Sequence, residues 1–326
     1  MNLSFIIPIY NGGKFIENLG RNIKNLYEAI EGVEFVIVND GSTDDTSEKL
    51  HHFLNTHQEL AACCRLIECE NGGVSRARNQ ALDHVVGRYV MFMDHDDNID
   101  AVKLAGLFNS ICVQDADALH FNCRYPVSNH NQTLDTDKFM LDFPFVSYVW
   151  SYIYKRSIIE NNRLRFTEGM KYLEDGLFVL AYLLQSNKIM VSDEQVYDYV
   201  DNPDSAMRAQ RNRAQNQKFL DDVALAVKGY TKLAESRRDS AVYNRLKEIR
   251  DSFSFIYIVN MLKLKVGKQE FFSRLQDVDY DFKMANYPSK FNNRMPVRML
   301  CSLFRNKSLL NLTVETGAFN LLRKFV

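Results

Sequence analysis

The chain has 326 residues, enough for about two domains, and its 40 lysines and arginines nearly balance 41 aspartates and glutamates, leaving a formal charge of −1. Hydrophobic residues make up 46% and charged residues 25%, a balance that excludes a disordered chain, a collagen-like chain and a small disulfide scaffold. The near-zero sum hides a gradient: Ser289–Val326 holds seven basic residues against Glu315 alone, whereas the residues before it hold 33 basic and 40 acidic side chains.

The first 123 residues alternate between strand and helix patterns. Leu3–Ile9 is an apolar run of strand length, and Phe15, Ile16, Leu19, Ile23, Leu26 and Ile30 then recur at helical spacing. Val33–Val38 is rich in β-branched residues, and Asp44–Leu54 follows as a helix behind the turn residues Gly41 and Ser42. Arg65–Cys69 and Tyr89–Met93 are the third and fourth strands, Ala118–Cys123 a further one, with helical faces between them at Val74–Val85 and Leu104–Ile111. Strands separated by helices of this length predict right-handed βαβ units and a parallel sheet. From Arg124 to about Val200 the pattern is mixed and aromatic and reads as an irregular insert on the sheet's edge; Arg208–Gly267 reads as two long helices, and the chain closes in short basic helices.

Six cysteines form no C-x-x-C pair, and no histidine cluster has zinc spacing. Met1–Tyr10 begins directly with a strand-like run in place of a secretory signal, so a reducing, cytoplasmic compartment is expected. No apolar run approaches the roughly 18 residues of a spanning helix; the longest, Phe253–Leu262, contains Ser254 and Asn260 and reads as a buried helix.

In open α/β sheets ligands sit beyond the C-terminal strand ends. Each end here carries polar or flexible residues: Pro8-Ile9-Tyr10-Asn11 after the first strand, Asp40-Gly-Ser-Thr-Asp44 after the second, Asn71-Gly-Gly with Arg76, Arg78 and Asn79 after the third, and Asp94-His95-Asp96-Asp97 after the fourth. Three carboxylates within four residues repel one another unless a cation neutralises them, and hard oxygen ligands suit Mg2+ or Mn2+. The alternative is capping: Asp96 or Asp97 at the start of the next helix, Ser42 or Asp44 at the start of the second. Neither a dinucleotide G-x-G-x-x-G nor a P-loop is present.

The segments SFIIPIYN, VNDGSTDDT, NGGVSRARNQAL and YVMFMDHDD, in that order, resemble the family 2 glycosyltransferases. Downstream, VWSYIYKRSII with Trp150, then Phe166-Thr-Glu-Gly169 and Tyr172-Leu-Glu-Asp-Gly-Leu-Phe178, are similar to that family's acceptor-side segment. The likeness spans about residues 3–185. It implies an α/β protein of the GT-A fold, a Rossmann-like, mostly parallel sheet flanked by helices with a helical C-terminal region. The expected division is a catalytic domain over 1–205 (a nucleotide-sugar half to about 123, an acceptor half from 124) and a helical region over 206–326.

By the same resemblance Pro8, Tyr10 and Asn11 shape the base pocket and Asp40 bonds the base. Arg78 and Asn79 line the nucleotide pocket, Asp94 faces the ribose, and Asp96 holds Mn2+ or Mg2+ in a D-x-D motif. Asp97 supports the cluster, and His95 fills the motif's variable position. Asp175 is the implied base of an inverting transfer, and Trp150 and Glu174 meet the acceptor. The implied partners are a nucleotide-sugar donor, UDP-linked in most relatives, and a saccharide or lipid-linked saccharide acceptor of bacterial surface polysaccharide synthesis. Competing readings use the acidic cluster for nucleotidyl or phosphoryl transfer, or make the chain a non-catalytic sugar-nucleotide-binding subunit. Independently of the resemblance, Val297, Leu300, Cys301 and Phe304 opposite Arg298 and Arg305 outline a basic amphipathic helix suited to an anionic membrane surface; the alternative is docking on the acidic body. No nucleic-acid module is recognisable.

Overall fold

The computed structural model describes residues 2–122, 131–200 and 211–279, and the chain forms two compact units, Met1–Ala209 and Gln210–Val326. The first unit opens with β1 (Leu3–Ile9), α1 (Ile16–Ala29), β2 (Val33–Asp40), α2 (Thr46–Thr56), the single turn α3 (Gln58–Ala61), β3 (Cys64–Cys69), α4 (Val74–Leu82) and β4 (Tyr89–Phe92). It continues through β5 (Asn98–Ile99), α5 (Ala101–Gln114), β6 (Ala118–Asn122), β7 (Gln132–Asp135), α6 (Thr136–Asp142), β8 (Tyr152–Lys155), α7 (Arg156–Asn161), α8 (Glu174–Leu183), β9 (Lys188–Gln195) and β10 (Tyr197–Asp198). Every residue of β1 and β2 is buried, as strands covered on both faces require, and this is why their sequences run apolar without alternation.

One eight-stranded sheet has the order β3-β2-β1-β4-β8-β6-β9-β7. β3, β2, β1 and β4 are mutually parallel, β8 is antiparallel to both β4 and β6, β9 is parallel to β6, and β7 is antiparallel to β9 at the edge. The expected Rossmann-like half is therefore present. The expectation of an irregular insert on the edge is corrected: that stretch supplies three strands to this sheet, and β8 lies in its middle between β4 and β6. Four residues paired with strands some tens of positions away carry no local turn signal, so Tyr152–Lys155 reads only as aromatic packing. The chain order reverses between β1 and β4, which makes the crevice past their C-terminal ends the topological switch point.

The expected caps also move. The N-cap of α5 is Asp100, whose side chain accepts from the Lys103 amide at 3.1 Å, so neither Asp96 nor Asp97 has that duty. Asp45 occupies the N-cap of α2, and Asp44 accepts hydrogen bonds from the Thr46 and Gly13 amides.

His120 on β6 is fully buried beside Tyr152. Its Nδ1 pairs with the Ser151 carbonyl at 3.0 Å; a carbonyl only accepts, so Nδ1 carries the proton. Burial pushes the imidazole pKa down from 6.5 to about 4. As pH falls from 6.5 towards 4, an unfolded histidine takes up a proton that the folded one refuses, so stability is lost across that window. The loss reaches at most roughly 3 kcal/mol. Urea denaturation at pH 7.5 and pH 4.5 should show a smaller drop in His120→Asn, which keeps a donor near the Nδ1 position, than in the parent; equal drops would exclude His120 as the cause.

The second unit contains α9 (Arg213–Glu235), α10 (Tyr243–Lys263) and α11 (Lys268–Gln276). A capping box between Asn212 and Gln215 starts α9. Its expected apolar face, Phe219, Val223, Val227 and Tyr230, is buried, and Tyr230 stacks on Phe253 of α10 at 4.6 Å. The basic tail from 289 lies outside the described residues. Among those described, no helix is long and apolar enough to cross a membrane.

Candidate active site

The loops after β1 and β2 are laced together by their own polar residues. Asn11, in the left-handed region at φ 50°, accepts from the Thr43 amide at 2.8 Å, and its own amide donates to Ser42 Oγ at 2.9 Å. The Gly12 amide donates to Thr46 Oγ1 at 2.9 Å. Asn11 thus fixes the loop after β1 to the loop after β2. Tyr10, 48% exposed at the tip of β1, leaves its ring available to a flat ligand.

Asp40 closes β2 and is buried. Its two oxygens accept from the Gly72 and Gly73 amides, each at 2.8 Å. That close approach depends on Gly41: at φ +66° it is left-handed, and a Cβ there would stand 2.5 Å from the Asn71 amide nitrogen. An ionised carboxylate has about four lone-pair directions, so Asp40 both anchors the glycine loop and keeps acceptor capacity.

The D-x-D segment is fixed from three sides. His95 Nδ1 lies 3.3 Å from the Pro8 carbonyl, and its ring packs on Phe15 and over Gly12, where a Cβ would come within 2.6 Å of it. The side chains of Asn18 and Asn22 on α1 donate to the Asp97 carbonyl. From the far end of the unit, the Tyr197 hydroxyl donates to Asp97 Oδ2 at 2.8 Å and accepts from the Asp94 amide at 3.0 Å. Asp97 is wholly buried, and burial together with the neighbouring Asp94 charge pushes its pKa up to about 8. It turns inward as a brace, while Asp94 and Asp96 remain partly exposed.

Arg78 joins this segment to the start of α8. It is carried on α4, which starts behind left-handed Gly73. Its Nη2 donates to Asp94 at 3.3 Å, and its Nη1 to Asp175 at 2.5 Å and Glu174 at 3.1 Å. Its guanidinium lies over the Phe166 ring, 5.3 Å from the centroid. Side-chain exposure rises from 4% for Arg78 and 10% for Glu174 to 22% for Asp175 and 30% for Asp94. Of the three carboxylates tied to this buried cation, the two more exposed are therefore Asp94 and Asp175. Burial acts to discharge Arg78, but Asp175, Asp94 and Glu174 outweigh it and hold its pKa above the ordinary value. Glu174, desolvated and beside Asp175, is pushed up to about 8.

Glu174 and Asp175 open α8, as a helix-start pair would, behind Leu173 at φ +67°. A left-handed leucine is uncommon, and it turns the chain so that the first turn of α8 faces α4. Asn79 secures the same region: its amide exchanges hydrogen bonds with the Phe166 backbone at 3.0 and 2.8 Å, and Phe166 stacks on Phe178 of α8 at 4.2 Å. The polar groups of Asn79 are thus spent on the segment that holds Phe166 and Glu168.

Trp150 departs most from its expected place. It is 5% exposed and stacks with Tyr148 at 5.0 Å, Tyr197 at 4.4 Å and Tyr199 at 5.9 Å. Its faces are taken by other rings, which leaves none for a sugar. Tyr197, which braces the acidic cluster, escaped sequence reasoning because its two-residue strand carries no motif.

Asp94 and Asp96 offer hard oxygen donors at the crevice, and no three His, Cys, Asp or Glu side chains among the described residues form a complete metal cage. That donor set fits a divalent ion that takes its other ligands from a diphosphate and water.

An α/β unit whose parallel strands end in an acidic cluster, joined through Arg78 to a carboxylate at the start of α8, has the arrangement of the GT-A-like class. The sequence matches the family described as glycosyl transferase family 2 over residues 4–179, and the chain belongs to that family. It is 27% identical over 220 residues to the uncharacterized glycosyltransferase EpsJ of Bacillus subtilis, covering 62% of each chain. It is also 27% identical over 205 residues to the poly(ribitol-phosphate) β-N-acetylglucosaminyltransferase TarS of Staphylococcus aureus, covering 61% of this chain and 35% of TarS. The chain thus spans less than two thirds of these relatives. The crystal structure of S. aureus TarS 1–349 in complex with UDP-GlcNAc shares the fold with a TM-score of 0.69 at 21% identity, over all of this chain and 90% of that one.

Proposed function

We propose that this protein is an inverting glycosyltransferase that moves a sugar from a nucleotide-sugar, UDP-linked by preference, to a saccharide or lipid-linked saccharide in bacterial surface polysaccharide synthesis, on the cytoplasmic side. The observation that carries this reading is the Arg78 bridge, which holds a donor-side carboxylate, Asp94, and an acceptor-side carboxylate, Asp175, at one crevice. The TarS complex with UDP-GlcNAc supports the choice of donor, and the homology to a poly(ribitol-phosphate) glycosyltransferase supports a polymeric acceptor.

In this mechanism Tyr10 and Asp40 receive the base. Asp175 Oδ2, the oxygen not engaged by Arg78, takes the proton of an acceptor hydroxyl. The acceptor oxygen forms a bond to the anomeric carbon as the bond to the diphosphate breaks on the opposite face, and that electron pair leaves on the diphosphate. A divalent cation held by Asp96 would stabilise the negative charge developing there. Arg78 keeps Asp175 oriented, and Asp97 with Tyr197 keeps the D-x-D segment in place.

The direct test is thermal shift with UDP, GDP, CMP and TDP, each with and without Mn2+. UDP with Mn2+ should raise Tm by roughly 5–10 °C at saturating ligand, with a clearly smaller rise when Mn2+ is omitted. Absence of metal-dependent stabilisation by any of the four would overturn the proposal.

A further inference from the structure

Tyr197 is fully buried, where a phenylalanine would fill nearly the same space, so its hydroxyl calls for a reason. That hydroxyl donates its one proton to Asp97 Oδ2 and accepts from the Asp94 amide. It therefore pins the residue two before Asp96 and the residue just after it. The other oxygen of Asp97 accepts from the Val200 amide at 2.8 Å. A buried carboxylate is tolerated when it is hydrogen-bonded, and both of these partners come from one short segment, 100 and 103 positions downstream. That segment is weakly held by its own backbone. Among the described residues, two-residue β10 pairs only with two-residue β5, and so short a ladder gives little orientation. The Tyr197 ring instead stacks on Trp150, 14° from parallel. Trp150 sits in the turn Val149–Ser151, which runs directly into β8, and β8 is paired on both sides. Trp150 is thus tied to the middle of the sheet, and Tyr197 carries that rigidity to the D-x-D segment.

We propose that Tyr197 is a positioning residue for the divalent cation, its hydroxyl holding the backbone around Asp96 in place, and that Trp150 acts through Tyr197 and so serves the donor side rather than the acceptor. This role rests on the glycosyl-transfer reading and deepens it. Groups that fix the ligands of a metal typically govern its affinity by about 10–100-fold. Tyr197 grips the residues flanking Asp96 rather than Asp96 itself, so the lower end, about tenfold, is expected. The same arrangement explains why the faces of Trp150 are covered: the ring orients Tyr197 and meets no sugar.

The test titrates Mn2+ into the full-length protein at saturating UDP and reads the half-saturating concentration from the rise in Tm, with acceptor KM measured alongside. Tyr197→Phe keeps the ring on Trp150 and loses both hydrogen bonds; it should raise the Mn2+ half-point about tenfold and leave acceptor KM unchanged. Trp150→Leu should move the half-point in the same direction, while Trp150→Phe, which keeps a stacked ring, should stay near the parent. Trp150→Leu combined with Tyr197→Phe should add little to the larger single effect, because both act through one hydroxyl. Tyr89→Phe is the structural control. It removes a buried hydroxyl bonded to the Ala116 carbonyl at 3.0 Å, at the start of β4 and so at the far end of the strand that leads to Asp94. It should lower Tm without moving the Mn2+ half-point. The role is overturned if Tyr197→Phe binds Mn2+ as the parent does, if Tyr89→Phe shifts the half-point as far as Tyr197→Phe, or if Trp150→Leu raises acceptor KM and leaves the half-point in place. A parent without Mn2+-dependent stabilisation sinks the glycosyl-transfer reading and this role with it, whereas a stabilised parent beside an unaffected Tyr197→Phe sinks the role alone.

Discussion

Replacing Asp175 by Asn will lower transfer by roughly 10²–10⁴-fold, the range typical for loss of a general base, while UDP–Mn2+ stabilisation persists. The substitution is nearly isosteric. The amide oxygen of Asn can still accept from Arg78 Nη1, now bonded to Asp175 Oδ1 at 2.5 Å, so the bridge to Asp94 survives and the start of α8 stays in register. What disappears is the second carboxylate oxygen as a proton acceptor. Initial rates at saturating donor and acceptor, set beside donor KM, separate the outcomes. A fall in kcat with donor KM little changed locates the loss in the chemical step. Near-normal transfer would remove Asp175 from the role of base and leave the reaction without one among the residues that Arg78 gathers.

The parallel strands that lead to this site were legible in the sequence because their signals are local. Leu3–Ile9 and Val33–Val38 announce themselves as buried strands by composition, and the residues just past them lie at C-terminal strand ends, where open α/β sheets bind ligands. The segment around the start of α8 was legible only as a motif. Glu174 and Asp175 could be named, but their partner Arg78, 97 positions from Asp175, was expected to line the nucleotide pocket, because its tertiary neighbours are not visible in the sequence. Asn79 was misread for the same reason: its bonds run to Phe166, 87 residues away. Trp150 illustrates a different gap. An aromatic in an aromatic stretch shows neither which ring of a stack is innermost nor which is last, and that ordering is decided by β8 entering the sheet between β4 and β6 and by Tyr197 arriving from the end of the unit.

Arg78→Met should have the largest effect on stability. In the parent one buried guanidinium faces three carboxylates. Methionine replaces much of its volume but leaves Asp94, Glu174 and Asp175 without their cation, and removing one partner from a buried charge cluster typically costs about 3–5 kcal/mol. For a unit of this size that corresponds to a fall in Tm on the order of 10 °C. The cost should grow with pH. Folded Glu174 keeps its proton to about pH 8 against 4.5 for the unpaired group, so the folded state binds more protons than the unfolded one in that window, and stability declines as pH rises through it. Without Arg78 the repulsion among the three carboxylates is uncompensated and the decline steepens. Adding Glu174→Gln to Arg78→Met removes one repelling charge and should restore part of the lost Tm at pH 8, whereas transfer should stay low because Asp175 is no longer oriented. Thermal melts of both variants at pH 6 and pH 8, with transfer rates alongside, test this directly. Equal losses at the two pH values, or recovery of transfer together with Tm, would show that Arg78 fills space and does not bridge the two halves of the site.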